Sequence, residues 1–253
     1  MYYLFNHLLR SIVTILVSLC VFNASAQTKD VIEFQKKFEQ KLNKVSPAFV
    51  VESVDKSPID DFFEVKIKDG PLLYVDKAGR FMFSGDLFEL SDNSIVNLSD
   101  EREAKARLKL MDQVKSADAI VFSPKPPKLT KANIYVFTDV DCGYCRKLHL
   151  EVPTLNDAGI SVHYLAFPRA GIGSPSYKKI ATAWCVPNRN ETLTKLKNRQ
   201  PVKTVECQSP VNLHYDIGQK MGINGTPAIL LEDGSLIPGY KPAADLIKLI
   251  LAN

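Results

Sequence analysis

The stretch that most constrains this chain is the junction around residues 138–145, where one backbone period gives way to another. Ile134-Tyr-Val-Phe-Thr138 is a short apolar, β-branched run that reads as a strand. From Cys145 the apolar residues Leu148 and Val152 follow at helical spacing. Cys142-Gly-Tyr-Cys145 therefore lies where a strand turns into a helix. A helix N-terminus offers unpaired amides and a partial positive charge, and both favour thiolate over thiol. Three residues of separation bring the second sulfur within bridging reach. Cys142, nearer the helix end and more exposed, is the expected nucleophile; Cys145, more buried, is its partner. Gly143 is expected to let the turn approach closely and Tyr144 to lie over the pair.

A Cys-x-x-Cys by itself also fits half of a zinc site or a plain structural disulfide. Cys145 and His149 are i,i+4, which makes a three-ligand copper or zinc site conceivable. No second Cys-x-x-Cys is present to complete a tetrahedral set, so no metal site is expected, and His149 reads as a packed or surface histidine. No cofactor is expected either.

The first 26 residues belong to another physical class. His7 and Arg10 precede a run of about a dozen mostly apolar residues, which ends in Ala24-Ser-Ala26. The run is shorter than the ~20 residues that span a bilayer comfortably. Residues 1–26 are thus expected to be a signal peptide, cleaved after Ala26, and the protein to be exported. Removing them also removes Cys20 and leaves four cysteines, an even number that suits an exported chain with two pairs. Three connectivities are possible, and the spacing favours a tight Cys-x-x-Cys with a separate distant pair. The formal net charge of +4 is spread without a basic stripe, so a nucleic-acid partner is not expected.

From Asp30 to Lys44, Val31, Phe34, Phe38 and Leu42 form one apolar helical stripe. Strand-like runs follow at Ala48–Val54, Phe62–Ile67, Leu72–Val75 and Phe81–Leu90, the last interrupted by Ser84-Gly85, and they are separated by turn chemistry such as Ser57-Pro58 and Lys77-Ala-Gly79. A helix with an antiparallel meander makes an α+β unit of roughly 65–70 residues, near the lower size for a self-sufficient core and so a candidate for dimerisation. Ser99 is a plausible N-cap for a connecting helix with its stripe at Ala104, Leu108, Met111 and Val114. Beyond Ser123-Pro-Lys-Pro-Pro127 come Ile134–Thr138 and the cysteine helix, a strand at Ser161–Phe167, helices over 174–185, 191–198 and 211–221, a hairpin turning at Asp233-Gly234, and a last helix over 242–251. The expected division is a signal peptide over 1–26, an N-terminal unit over 27–96, a linker helix over 97–117 and a cysteine-bearing domain over 118–253.

Gly222-Ile-Asn-Gly-Thr226-Pro227 places a proline at the start of a strand, where it removes no ladder hydrogen bond. With Phe137-Thr-Asp139, Cys142-Gly-Tyr-Cys-Arg-Lys-Leu-His149, Tyr164-Leu-Ala-Phe-Pro168, Ala183-Trp-Cys185, Gly225-Thr-Pro227 and Pro238-Gly-Tyr240, the chain resembles the DsbC-type periplasmic protein disulfide isomerases of the thioredoxin superfamily. The specific motifs lie within residues 97–253; over 27–96 the likeness is one of length and layout.

The resemblance implies an α+β protein. It would have a small cystatin-like helix-plus-sheet dimerisation domain, a linker helix, and a thioredoxin-like α/β domain with a helical insertion. It implies that Cys142 attacks, Cys145 partners it, Pro227 is cis, and Thr226 offers backbone groups to an extended client segment. Cys185 and Cys207 would form a structural disulfide. The implied activity is isomerisation of wrong disulfides in unfolded or misoxidised exported proteins. It would be carried out by a V-shaped homodimer whose cleft holds the client and whose cysteines a membrane reductase of the DsbD type keeps reduced. Alternatives are a DsbG-like reductase that rescues sulfenic acids, a net oxidase, and a holdase chaperone indifferent to its cysteines. Asp141, directly before Cys142, either caps the helix or opposes the thiolate.

Overall fold

The computed structural model describes residues 29–68, 70–92 and 94–251; the expected signal peptide lies outside them. The described chain divides into two compact units, one ending at Asp86 and the other starting at Leu87.

The first unit opens with helix α1 over 29–45. Strands β1 (Val51–Lys56), β2 (Phe62–Ile67), β3 (Leu72–Asp76) and β4 (Met82–Ser84) follow as an antiparallel meander in the order β1-β2-β3-β4. Phe34 and Phe38 stand on the same face of α1, one turn apart, and enter the core with Val54, Phe63, Val65, Ile67 and Val75. The ring of Phe34 stacks on that of Phe63, centroids 4.1 Å apart. At the far edge the three residues of β4 are exposed, and so is Phe81 before them. The run from Phe81 to Leu90 is interrupted at Ser84-Gly85, as expected, and gives two short strands, β4 and a later one over Phe88–Leu90. Gly85 takes a φ of 152°, a conformation that side-chain-bearing residues rarely adopt, and the chain leaves the meander there.

The second unit begins with the hairpin β5 (Phe88–Leu90) and β6 (Ile95–Asn97), and helix α2 (Leu98–Met111). The N-cap of α2 is Asn97, whose side chain accepts from Asp100 N, not Ser99 as its residue type suggested. The Ser99 hydroxyl instead accepts from the backbone N–H of Leu87 at 2.8 Å, tying the hairpin to the helix. The helix lies close on the loop at Gly234, where a Cβ would stand 2.4 Å from the Ala104 carbonyl oxygen. Arg107, buried, donates to that glycine's carbonyl as well as to Asp100 and Glu103.

Five strands form the main sheet: β7 (Ile120–Phe122), β8 (Ala132–Thr138), β9 (Ile160–Ala166), β10 (Ala228–Leu230) and β11 (Leu236–Pro238). Their order is β11-β10-β8-β9-β7, with β8 and β9 parallel and the remaining pairs antiparallel. Between β8 and β9 run α3 (Gly143–Leu150) and α4 (Val152–Asp157). After β9 come α5 (Pro175–Trp184), α6 (Arg189–Lys197) and α7 (Val211–Lys220), and α8 (Ala243–Leu251) ends the described chain. The helix that starts at the cysteines is interrupted at Glu151, because Pro153 has no N–H with which to continue the ladder. Strand β7 had no counterpart among the expected elements: three residues beside Ser123-Pro124 carry too little pattern, and pairing with β9 makes the strand. One buried apolar cluster joins Ile134, Val136, Leu148, Leu155, Tyr164 and Trp184; a second joins Phe137, Leu165, Phe167, Ile217 and Leu230. Successive residues of β8 thus serve opposite faces of the sheet, as the two-residue repeat of a strand requires.

Candidate functional site

At the end of β8 the chain turns through Asp139, Val140 and Asp141 before entering α3. The buried Asp139 carboxylate organises this turn. It accepts from the Asp141 N–H (2.8 Å), the Ser176 hydroxyl (2.6 Å) and the Arg169 N–H (2.9 Å). Burial works against its charge, but the Ser176 hydroxyl, the Arg169 and Asp141 amides and the Arg169 guanidinium outweigh it. Its carboxyl is held below the ordinary value.

Cys142 is itself the N-cap of α3, its sulfur accepting from the Cys145 N–H at 3.3 Å. Asp141 is therefore not the cap, and its carboxylate is paired with Lys179, both oxygens 3.0 Å from the ammonium. Across from the helix tip stands the cis Thr226–Pro227 peptide, and the Cys142 thiol donates to the Thr226 carbonyl at 3.2 Å. The structure thus brings Cys142, Cys145, Thr226 and Pro227 together, with both cysteines as free thiols.

Cys142 was expected to be the more exposed of the pair; it is 3% exposed against 1% for Cys145, so both sulfurs are buried. The Thr226 peptide covers Cys142. Gly143 does not serve a close approach within the chain, because a Cβ there would meet only the Arg146 guanidinium, at 3.8 Å. Tyr144 points outward and stacks on Tyr240, ring centroids 5.9 Å apart. Lys147 lies over the other participant of that stack, 4.5 Å from the Tyr240 ring centre.

The two sulfurs are driven apart in acidity. The Cys145 thiol donating to Cys142, the Thr226 hydroxyl, the Cys145 amide and the Arg169 charge together bring Cys142 down to about 5 against the cost of burial. The Thr226 carbonyl, as an acceptor, favours the protonated form, and the donors outweigh it. Burial pushes the Cys145 thiol up, and its hydrogen bond to Cys142 adds to the shift. The arrangement holds one thiolate ready and one thiol in reserve.

Beneath Cys145, His149 is buried with both ring nitrogens engaged, one by the Tyr164 hydroxyl and one by Thr194, each at 3.0 Å. Burial brings His149 down to about 4, so it is neutral near pH 7. Cys185 and Cys207, at the two ends of the segment that carries α6, are joined by a disulfide. Sequence reasoning overlooked Lys197, the last residue of α6, which is buried under the site. Its signal was phase: Leu193 and Lys197 are i,i+4, which places the lysine on the buried side of the helix.

A mixed sheet flanked by helices, with a Cys-x-x-Cys at a helix tip facing a cis-proline, defines a thiol–disulfide oxidoreductase of the thioredoxin superfamily. The profile of a thioredoxin-like domain matches residues 128–252, and that of the disulfide bond isomerase protein N-terminal domain matches 23–100. The thiol:disulfide interchange protein DsbC of Dickeya dadantii is 35% identical over 200 residues, covering 79% of this chain and 80% of that protein. Its Haemophilus influenzae namesake is 32% identical over 232 residues, covering 91% of this chain and 93% of that one. In fold alone, the crystal structure of the thiol-disulfide exchange protein alpha-DsbA2 from Wolbachia pipientis aligns with a TM-score of 0.50. It is 15% identical, and the alignment covers 62% of this chain and 99% of that one. The chain belongs to the DsbC family of thiol:disulfide interchange proteins.

Proposed function

We propose that this protein isomerises wrong disulfides in exported proteins through Cys142 and Cys145, held in the dithiol state. The observation that carries the reading is the Cys142 sulfur at the tip of α3, 3.2 Å from the Thr226 carbonyl of the cis Thr226–Pro227 peptide, with Cys145 buried behind it. The Cys142 thiolate attacks one sulfur of a client disulfide. A Cys142–client bond forms, and the other client sulfur leaves as a thiolate. That thiolate attacks elsewhere in the client, and a client thiolate finally displaces Cys142, so no electrons are gained or lost overall. Cys145 resists ionisation, which delays its own attack on the mixed disulfide and gives the client time to rearrange. When rearrangement fails, Cys145 closes on Cys142 and releases the client reduced.

Access to Cys142 requires the Thr226 peptide to give up its contact with the sulfur. Once the thiol proton is gone, the Thr226 carbonyl is an unpaired acceptor at the end of a short strand. It suits the backbone N–H of an extended client segment. Thr226 and Pro227 therefore serve as the client-binding edge of the site, with Gly143 and Tyr144 as its outer rim and the Cys185–Cys207 bridge as a structural staple.

Work in the periplasm, an oxidising compartment, is supported by the expected signal peptide and by membership of the DsbC family. A membrane reductase of the DsbD type is the partner that would return the pair to the dithiol state. Homodimerisation through the first unit is supported by its edge strand, where Phe81, Met82 and Phe83 are exposed. The deciding experiment is reactivation of scrambled ribonuclease by the wild type and by Cys142→Ala. Loss of reactivation in the variant is expected; a variant that still reactivates removes the assignment.

A further inference from the structure

Lys197 is a buried cation that the mechanism above leaves unused. It is 2% exposed, and among the described residues no carboxylate lies within ion-pair distance of it. Its ammonium donates to the Thr138 hydroxyl and to the Asp139 carbonyl (3.1 Å), and it stands 5.6 Å from the centre of the Tyr164 ring. A buried ammonium held only by neutral oxygens is costly unless an anion compensates it. The Asp139 carbonyl that receives Lys197 also receives the Cys142 N–H at 3.3 Å, so one peptide group separates the ammonium from the cysteine turn.

The groups around Lys197 narrow the choice of anion. Asp139 directs its carboxylate to Ser176 and Arg169. Tyr164 is pushed above its ordinary value by burial, His149 is neutral, and Arg146 carries a like charge. The sulfurs of Cys145 and Cys142 remain; for Cys145, Lys197 is the one charge that favours the thiolate, beside the Asp139 amide and the Thr226 hydroxyl.

We propose that Lys197 is a positioning residue that supplies the counter-charge for Cys145 when that cysteine becomes the thiolate that closes on Cys142. The proposal rests on the thiol-exchange reading of the site. In this step the Cys145 proton passes to water and the Cys145 sulfur bonds to Cys142. The Cys142–client bond breaks, and the client sulfur leaves with the electron pair and takes up a proton. The two cysteines are oxidised to a disulfide and the client is reduced by two electrons. Closing the disulfide removes the sulfur anions, so Lys197 holds its own proton less tightly in the oxidised protein. Burial already brings the lysine down to about 8, so its charge is present at neutral pH and is lost above that value.

The test follows thionitrobenzoate release when Ellman's reagent reacts with the wild type and with Lys197→Met, which keeps the stem and removes the charge. The first release reports attack by Cys142 and the second reports closure by Cys145. The second is expected to slow about three- to tenfold at pH 7. One pKa unit is tenfold in thiolate, and the more basic thiolate regains part of this in nucleophilicity. The gap should close as the pH rises through about 8, where the wild-type lysine loses its charge, and Lys197→Arg should restore the neutral-pH rate. Equal second-phase rates and pH profiles in Lys197→Met and wild type would overturn the proposal. Should Lys197→Met fail to fold, nitrogen NMR of the lysine ammonium in the wild type decides. The Lys197 titration must lie lower in the disulfide form than in the dithiol form, and coincidence of the two curves ends the idea. Loss of the first release in Cys142→Ala tests the underlying site reading separately, so the two failures are distinguishable.

Discussion

The sulfur of Cys142 lies 3.2 Å from the carbonyl oxygen of Thr226, a residue 84 positions further along the chain. This contact joins the helix tip to the cis-proline loop and sets the first prediction. The ultraviolet absorbance of the Cys142 thiolate should titrate with a midpoint of about 5. Thr226→Val, which removes a hydroxyl that favours the thiolate, should raise that midpoint. Because the folded value lies below the ordinary one of 9.0, ionisation of Cys142 stabilises the reduced fold. That contribution is complete above pH 9, diminishes as the pH falls, and is gone below about 5. A midpoint near the ordinary thiol value would refute the poised-thiolate account.

The Cys185–Cys207 bridge closes a segment with a sequence separation of 22 that includes α6. In the chain-entropy model such a loop contributes about 3 kcal/mol. The paired variant Cys185→Ser with Cys207→Ser should lose stability of that order in urea unfolding. Since α6 carries Lys197 and Thr194 to the floor of the site, the second thionitrobenzoate release should also slow in this variant.

His149 and His214 are both buried, and burial brings each down to about 4. Their unfolded values lie near 6.5. Between these limits the unfolded chain binds more protons than the native one, so stability falls as the pH drops from 6.5 towards 4. Each histidine contributes roughly 3 kcal/mol to that fall, taking about 1.4 kcal/mol per pKa unit. Urea midpoints measured at steps between pH 7 and 4.5 should decline steadily. A flat profile across this window would show that the two imidazoles are not held neutral.

Met82 and Phe83 on β4 present an apolar edge that a second copy would cover. Placing charge there, as Met82→Lys with Phe83→Glu, should convert the proposed dimer to a monomer in sedimentation. The Cys142 titration should not move, because no site residue lies in the first unit. A wild-type chain that sediments as a monomer at micromolar concentration would dismiss the dimer.

Much of the local structure was legible in the residues. The stripe Val31-Phe34-Phe38-Leu42 is the buried face of α1, and β2 runs over Phe62–Ile67 as that strand-like run between turn residues indicated. Strand β7 was not legible: three residues hold no period, and its existence depends on β9 lying beside it. The cap of α2 went to Asn97 because Ser99 found a partner in Leu87, twelve residues back, which propensity does not see. The interruption at Glu151 was readable in Pro153, but the spacing of Leu148 and Val152 pointed to one continuous helix.

By itself the sequence determined that two cysteines would sit at a strand-to-helix junction, since periodicity and turn chemistry are short-range properties of the chain. Only the tertiary structure decided what those sulfurs experience. It laid the Thr226 peptide over Cys142, turned Asp141 to Lys179 and brought a lysine from α6 to the Asp139 carbonyl beside the cysteine turn. Burial and charge act through space, so residues dozens of positions apart set the acidity of each thiol.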